Sequence, residues 1–229
     1  MYSNINIAID GPAGAGKSTV ARLVAKELGF LYIDTGAMYR AVTLKALRSG
    51  LDLTDDEGLG RLAKTVSITL EPSQDGNLKV FLDGEEVTEE IRGSDVTRNV
   101  SIVARVPAVR KQLVELQKNM AVDGGVVMEG RDIGTVVLPD ARVKIFLTAS
   151  AQERAKRRRK ELAAKGRIVD KFQVEEEIHS RDRIDSTRET GPLIPAEDAE
   201  IIDSSSLPVE QVVKMIVARV LAGRRKDDL

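Results

Sequence analysis

The sequence contains no cysteine, which excludes disulfides, thiolate metal sites and cysteine nucleophiles. Tryptophan is also absent, and three tyrosines with four phenylalanines supply the whole aromatic content of 3%. Base-stacking platforms for nucleic acid are therefore scarce. The single histidine, His179, removes histidine-cluster metal sites, reads as a surface or packing residue, and leaves acid–base chemistry to carboxylates. No apolar run approaches the ~18 residues of a membrane span. No basic-then-apolar leader precedes the first strand-like segment. A cytoplasmic protein with no membrane partner is the expectation. Neither sign of charge dominates: 35 basic and 36 acidic side chains leave a net charge of −1, which argues against a general electrostatic binder of nucleic acid.

What is present is an ordinary globular composition, 42% hydrophobic and 31% charged over 229 residues. That length suffices for one α/β domain with embellishments and a sizeable core.

The most informative stretch lies near the start. Ile5 to Asp10 reads as a short buried strand. Gly11-Pro12-Ala13-Gly14-Ala15-Gly16-Lys17-Ser18 then fits G-x-x-x-x-G-K-[ST], with Thr19 after it. Val20, Leu23, Val24 and Leu28 recur at helical spacing, so the loop opens a helix. Glycines let successive N–H groups turn inward and form a concave anion site, and the helix beginning near Gly16 adds the positive end of its dipole. Lys17 supplies a charge to the β- and γ-phosphates, and the Ser18 hydroxyl is the expected Mg²⁺ ligand. A triphosphate nucleotide is the expected ligand of this loop.

Further along, Leu31 to Asp34 reads as a second strand, and Thr35-Gly36 opens a helix closed near Gly50. Thr54-Asp55-Asp56-Glu57 reads as a capping box for a short helix through Leu62. From Val66 the texture changes: Val66 to Leu70, Leu78 to Leu82 and Glu85 to Val87 suggest a small antiparallel insert, with turns at Asp75-Gly76-Asn77 and Asp83-Gly84. Helical patterns follow over 94–104 and 107–120. Val126-Val127-Met128 and 143–147 read as buried strands. Ser150-Ala151-Gln152-Glu153 reads as a capping box that starts a very basic helix, and a second helix covers roughly 173–188. Ile201 to Asp203 reads as the last strand and 208–221 as a closing amphipathic helix, before a charged tail at 224–228. Repeated β–α alternation predicts a mostly parallel sheet with helices on both faces.

Ligands of such sheets bind outside the carboxyl ends of the strands. Three strand ends deliver the phosphate loop, then Asp34 with Thr35, Tyr39 and Arg40, then Arg131 and Asp132. Asp34 and Asp132 are both candidates to hold Mg²⁺ through water or to orient an attacking phosphate, with Asp132 preferred; Asp34 also reads as a helix N-cap. In the basic run, Arg154, Arg157 and Arg158 project from one helix side. A solvated face is one reading. An arginine-rich flap that brings charge to a transferring phosphoryl group is the preferred one. Arg181, Asp185 and Arg188 share a helix face, and an intrahelical ladder and a grip on a sugar and its phosphate are both compatible with that spacing.

Gly11 to Thr19, Asp34-Thr35-Gly36-Ala37-Met38-Tyr39-Arg40, Glu129-Gly130-Arg131-Asp132-Ile133-Gly134 and Arg181-Asp182-Arg183-Ile184-Asp185-Ser186-Thr187-Arg188 together resemble the bacterial cytidylate kinases. The resemblance covers nearly the whole chain. It implies a phosphate-loop kinase fold and transfer of the γ-phosphoryl group of ATP to CMP or dCMP, with Mg²⁺; a monomer is the expectation, although the sequence does not fix the oligomeric state. It further implies that Ser101, Arg110 and Asp132 contact cytosine, that Arg181 and Asp185 hold the sugar, and that Arg40, Arg131 and Arg188 grip the acceptor phosphate beside Thr35 and Tyr39. Lys17, Arg131, Asp132, Arg154 and Arg158 are the expected catalytic set. One domain is implied, with a core of 1–35, 105–153 and 168–229, a monophosphate-binding region over 36–104 and a lid over 154–167.

Three other readings compete. A kinase for AMP, UMP or shikimate is the nearest, although the Asp-Gly-x-Pro-Arg segment of adenylate kinases is missing. A GTPase-type switch requires an Asn-Lys-x-Asp motif, which the sequence lacks. A nucleic-acid binder using residues 154–160 conflicts with the near-neutral charge.

Overall fold

A computed structural model describes residues 5–73, 78–164, 166 and 169–222. The predicted turn at 75–77 and the charged tail fall outside the described residues. In chain order the elements are β1 (Asn6–Asp10), α1 (Lys17–Leu28), β2 (Leu31–Asp34), α2 (Thr35–Arg48), α3 (Asp56–Ala63), β3 (Ile68–Pro72), β4 (Leu78–Leu82), β5 (Glu85–Glu86), α4 (Ser94–Ala104), α5 (Pro107–Met120), β6 (Val126–Gly130), β7 (Val143–Thr148), α6 (Ala151–Ala164), α7 (Lys171–Thr187), β8 (Glu200–Asp203) and α8 (Val209–Ala222). A single π-helical turn spans Ile133–Val137.

The main sheet is five-stranded and parallel, in the order β2-β6-β1-β7-β8. Strands covered on both faces read as continuous apolar runs rather than alternations, and β1 is buried from Ile7 to Asp10. Ile7, Ile9, Val127, Ile145 and Leu147 face α1 and α8, where they meet Val20, Val24, Val213 and Ile216. Ala8, Ile33, Val126 and Met128 face the other way, against Ala121, Ile133 and Val137. Helices thus cover both faces, as the alternation predicted.

The insert forms its own three-stranded antiparallel sheet, β3-β4-β5. Its inner residues Ile68, Val80 and Leu82 join a separate core with Leu59, Ile91, Val103 and Leu113. An isolated hairpin is marginal in water, so this packing against helices is what makes the insert stable.

Two caps differ from the sequence reading. Asp55, not Thr54, caps α3, accepting from the Gly58 N–H at 2.8 Å. Thr54 is occupied by Asp52, whose carboxylate takes both its N–H and its hydroxyl at 2.8 Å. At α6, Ser150 Oγ accepts from the Glu153 N–H at 3.2 Å, but the Glu153 carboxylate turns to Lys156 and Arg157 instead of reaching back. Opposite charge one turn away outcompetes a backbone N–H for that carboxylate.

Candidate active site

The donor half of the site is made of backbone. Gly11 sits at φ +147, and a Cβ there would stand 1.9 Å from the Leu147 carbonyl oxygen of β7. The loop can hug the sheet edge only because position 11 has no side chain. Gly16, at φ +94, precedes α1 and can offer it no side-chain cap, which leaves the first N–H groups of the helix for an anion. Lys17 is buried, and its ammonium donates to the Pro12 carbonyl at 2.9 Å. Burial pushes that ammonium down to about 7, and the Arg131 charge adds to the effect against the opposing pull of Glu129 and Asp10. Ser18 and Thr19 stand exposed at the mouth of the loop.

The loop forms one wall of a cleft of about 1100 Å³. Arg40 from α2, Ser101 from α4, Arg131 from the end of β6, Arg158 from α6 and Arg181 from α7 line the rest of it. Arg40 is held by its hydrogen bond to Thr97 Oγ1 at 2.9 Å. Burial, then the Arg181 charge, brings its pKa down to about 9; burial, then the Arg131 charge, brings that of Arg181 to about 10. Three cations with depressed pKa values around one cavity describe a place that lacks negative charge, which a polyphosphate would supply.

Behind this wall runs a chain of buried ion pairs. Arg110 pairs with Asp132, Asp132 with Arg188 at 3.3 Å, Arg188 with Asp185 at 4.0 Å, and Asp185 with Arg131 at 2.9 Å. Arg188 also donates to the Gly191 carbonyl at 2.6 Å, and the Arg110 guanidinium lies over the Tyr39 ring at 5.4 Å. Burial alone would raise Asp185, but Arg131, Arg181 and Arg188 hold it below the usual carboxylate range. Burial likewise would lower Arg131, and Asp185 more than offsets it. Tyr39 is pushed up to about 12 by burial. Thr35 supports the same wall by donating to the Glu129 carbonyl at 2.7 Å. Ser101, Arg40, Arg131 and Arg181 therefore reach the cleft directly, while Thr35, Tyr39, Arg110, Asp132, Asp185 and Arg188 stand behind those residues.

The family model for cytidylate kinase matches residues 7–222. The chain belongs to the cytidylate kinase family. The cytidylate kinase of Pelotomaculum thermopropionicum is 72% identical over 99% of this chain and 100% of its own length. That of Desulforamulus reducens is 58% identical over 95% of this chain and 97% of its own. A solved gluconokinase from Sinorhizobium meliloti, 14% identical, superposes with a TM-score of 0.50 over 97% of this chain and 94% of its own, a likeness of fold alone.

Within this family member, two buried carboxylates to which sequence reasoning gave no role brace the site. Asp10, the last residue of β1, is buried and accepts from the N–H groups of Ile133 at 2.8 Å and Gly134 at 2.7 Å. Burial lifts its pKa to about 6 despite those two bonds. It joins the strand that carries the phosphate loop to the turn that follows Asp132. Glu129 is buried beside Ser18, accepts the Tyr32 hydroxyl at 2.7 Å and is pushed up by burial and then by the Asp34 charge. The available signal for both was a carboxylate closing an apolar strand, where water is excluded and a charge needs a purpose.

Asp34 is the N-cap of α2, accepting from the Ala37 N–H at 3.0 Å, and it lines the cleft as well. Among the basic run, Arg158 lines the cleft and pairs with Glu161 at 2.9 Å. Arg154 does not line it: buried against the loop, it donates to backbone carbonyls. His179 is exposed, as expected of a bland residue.

Proposed function

We infer that this chain transfers the γ-phosphoryl group of ATP to CMP or dCMP, releasing ADP and CDP or dCDP. The observation that carries the reading is the meeting of a phosphate loop with Arg40, Arg131 and Arg181 in one cleft. One polyanion has its backbone cradle there, and a second anion has its cations opposite.

The loop from Gly11 to Thr19 takes the donor phosphates. Lys17, Arg131 and Arg158 neutralise charge on the equatorial oxygens of the moving group, which is most of what a loose phosphoryl-transfer transition state requires. An oxygen of the acceptor phosphate attacks Pγ, the bond from Pγ to the bridging oxygen breaks, and its electron pair leaves on ADP. A nucleotide phosphate has a second pKa of about 6 and is already deprotonated at neutral pH, so no general base is needed. That is why a chain whose one histidine is exposed can catalyse the reaction.

In the acceptor pocket, Ser101, Arg110 and Asp132 serve cytosine and Arg181 and Asp185 the sugar. Arg40, Arg131 and Arg188 serve the phosphate, with Thr35 and Tyr39 supporting them. Residues 36–104 act as the monophosphate-binding region and 154–167 as a lid on the remaining core. Mg²⁺ fits the donor set. Among the described residues no cluster of three or more acidic or histidine side chains forms a metal cage, and Mg²⁺ characteristically uses few protein ligands together with phosphates and water. Ser18 would hold the ion, with Asp34 and Glu129 beside it, and bound Mg²⁺ would neutralise the β- and γ-phosphates. The enzyme acts as a cytoplasmic monomer with small-molecule partners rather than nucleic acid; among the described residues no helix is long and apolar enough to cross a membrane.

A coupled assay with Mg²⁺-ATP and each nucleoside monophosphate in turn tests this reading. Turnover with CMP and dCMP, weak turnover with UMP and negligible turnover with AMP or GMP is the expected result. Equal rates with all would discard the cytosine contacts, and no acceptor-dependent turnover would discard the kinase.

A further inference from the structure

The basic helix α6 is fastened to the phosphate loop. Arg154 donates from Nη1 to the Ala13 carbonyl at 3.1 Å and from Nε to the Ala149 carbonyl at 3.0 Å. Arg157 donates from Nη1 to the Ala15 carbonyl at 3.2 Å and from Nη2 to the Ser204 carbonyl at 2.6 Å. A loop whose N–H groups converge on an anion must turn carbonyls outward. These two guanidiniums take up two of them. Gly14 completes the junction, because a Cβ there would stand 3.1 Å from Arg154 Cβ and 3.2 Å from its carbonyl oxygen.

Arg154 has a further partner on another element. The same Nη1 that holds Ala13 donates to Asp182 Oδ2 of α7 at 2.6 Å. Asp182 lies between Arg181, which lines the cleft, and Asp185, which orients Arg131. Among the described residues nothing satisfies Asp182 Oδ1 or Arg181 Nε, both buried, so this turn of α7 keeps unused hydrogen-bonding capacity. One nitrogen shared by two acceptors means that a displacement of the Ala13 carbonyl changes the bond to Asp182.

We propose that Arg154 and Asp182 are positioning residues that tie the phosphate loop to α7, so that a filled loop presents Arg181 and Asp185 in the geometry the acceptor requires. The proposal rests on the reading above, in which α7 holds the acceptor. Arg154 acts through the loop and α7 rather than on the reacting atoms.

Calorimetric titration of CMP, with and without a non-hydrolysable ATP analogue, tests it on the parent, Asp182→Asn, Arg154→Lys and the double variant. The lysine keeps the charge and loses the planar fork. The analogue is expected to tighten CMP about fivefold or more in the parent and less than about twofold in each variant. The double variant should lose no more than the worse single one, because both changes cut the same link. By reciprocity, Asp182→Asn should weaken the analogue measured at saturating CMP by the same factor as it weakens CMP measured at saturating analogue, while the analogue titrated without CMP stays within about twofold of the parent, a pattern that a general loss of packing does not produce. If Asp182→Asn fails to fold, Arg154→Lys carries the same comparison. Synergy retained in the variants, or absent from the parent, overturns the link and leaves the kinase intact. A parent that binds the analogue but neither CMP nor dCMP overturns the acceptor reading and the link together.

Discussion

The two halves of the cleft are built by different means. The donor half is a run of consecutive residues whose working parts are backbone N–H groups, shaped by glycines at positive φ, with one buried lysine across them. The acceptor half draws side chains from α2, α4, α5, the end of β6 and α7, and a chain of buried ion pairs joins those of α5, the end of β6 and α7. A backbone-built site depends on steric clearance, since a Cβ at Gly11 meets a carbonyl. A side-chain-built site depends on charge balance, since Arg110, Asp132, Arg188, Asp185 and Arg131 are each set against an opposite charge and lose compensation when that partner is removed.

The most severe way to break the comparison is Lys17→Met, which removes the donor half's buried side-chain charge and leaves its backbone alone. A fall in kcat of about 10³-fold or more is expected, read in the coupled assay, with the fold retained. The same variant reports on stability. Between pH 7 and 10.5 the unfolded chain keeps the Lys17 proton and the folded chain sheds it. Stability from this group therefore rises with pH across that window. Urea unfolding at the two ends should show that rise in the parent and its loss in Lys17→Met.

Next in size is Asp132→Ala, which leaves Arg110 and Arg188 buried side by side without their shared carboxylate. A loss of about 3 kcal/mol or more in urea unfolding is expected for an orphaned buried charge. A loss under about 1 kcal/mol, the range of an exposed pair, would mean that the acceptor half does not depend on charge balance.

Gly191→Ala sharpens the contrast most gently, because it applies the donor half's steric rule to the acceptor half. Gly191 lies at φ +59, and a Cβ there would stand 2.2 Å from Asp132 Oδ2 and 2.6 Å from Arg110 Nη2. KM for CMP should rise about tenfold, the equivalent of an ordinary single-site disruption, with KM for ATP unchanged. A matching rise in both would show that the halves are not separately built.

Much of the fold was legible locally. Helices over 94–104 and 107–120 and the strand over 78–82 coincide with the periodicity, since apolar spacing reports the buried face whatever lies opposite. The failures share a cause. Thr54 looked like a cap because its spacing fits, yet Asp52 engages it and Asp55 stands closer to the helix N–H groups. Asp10 and Glu129 looked like strand ends because their partners, Ile133, Gly134 and Tyr32, are about a hundred residues away in sequence. Spacing placed Arg154, Arg157 and Arg158 on one side of a helix, but what that side faces depends on α7, the phosphate loop and the segment after β8.

The sequence by itself determined the donor loop, because the path of a glycine-rich turn and the N–H groups of the helix after it are set by a few adjacent residues. It also determined the β–α alternation and, through four motifs, the family. Only the tertiary structure decided which arginines reach the cleft, which brace it, and which carboxylate balances each. Those outcomes turn on burial and on distances of a few ångströms between distant segments, where the energy of a charge is set by its surroundings rather than by its neighbours in the chain.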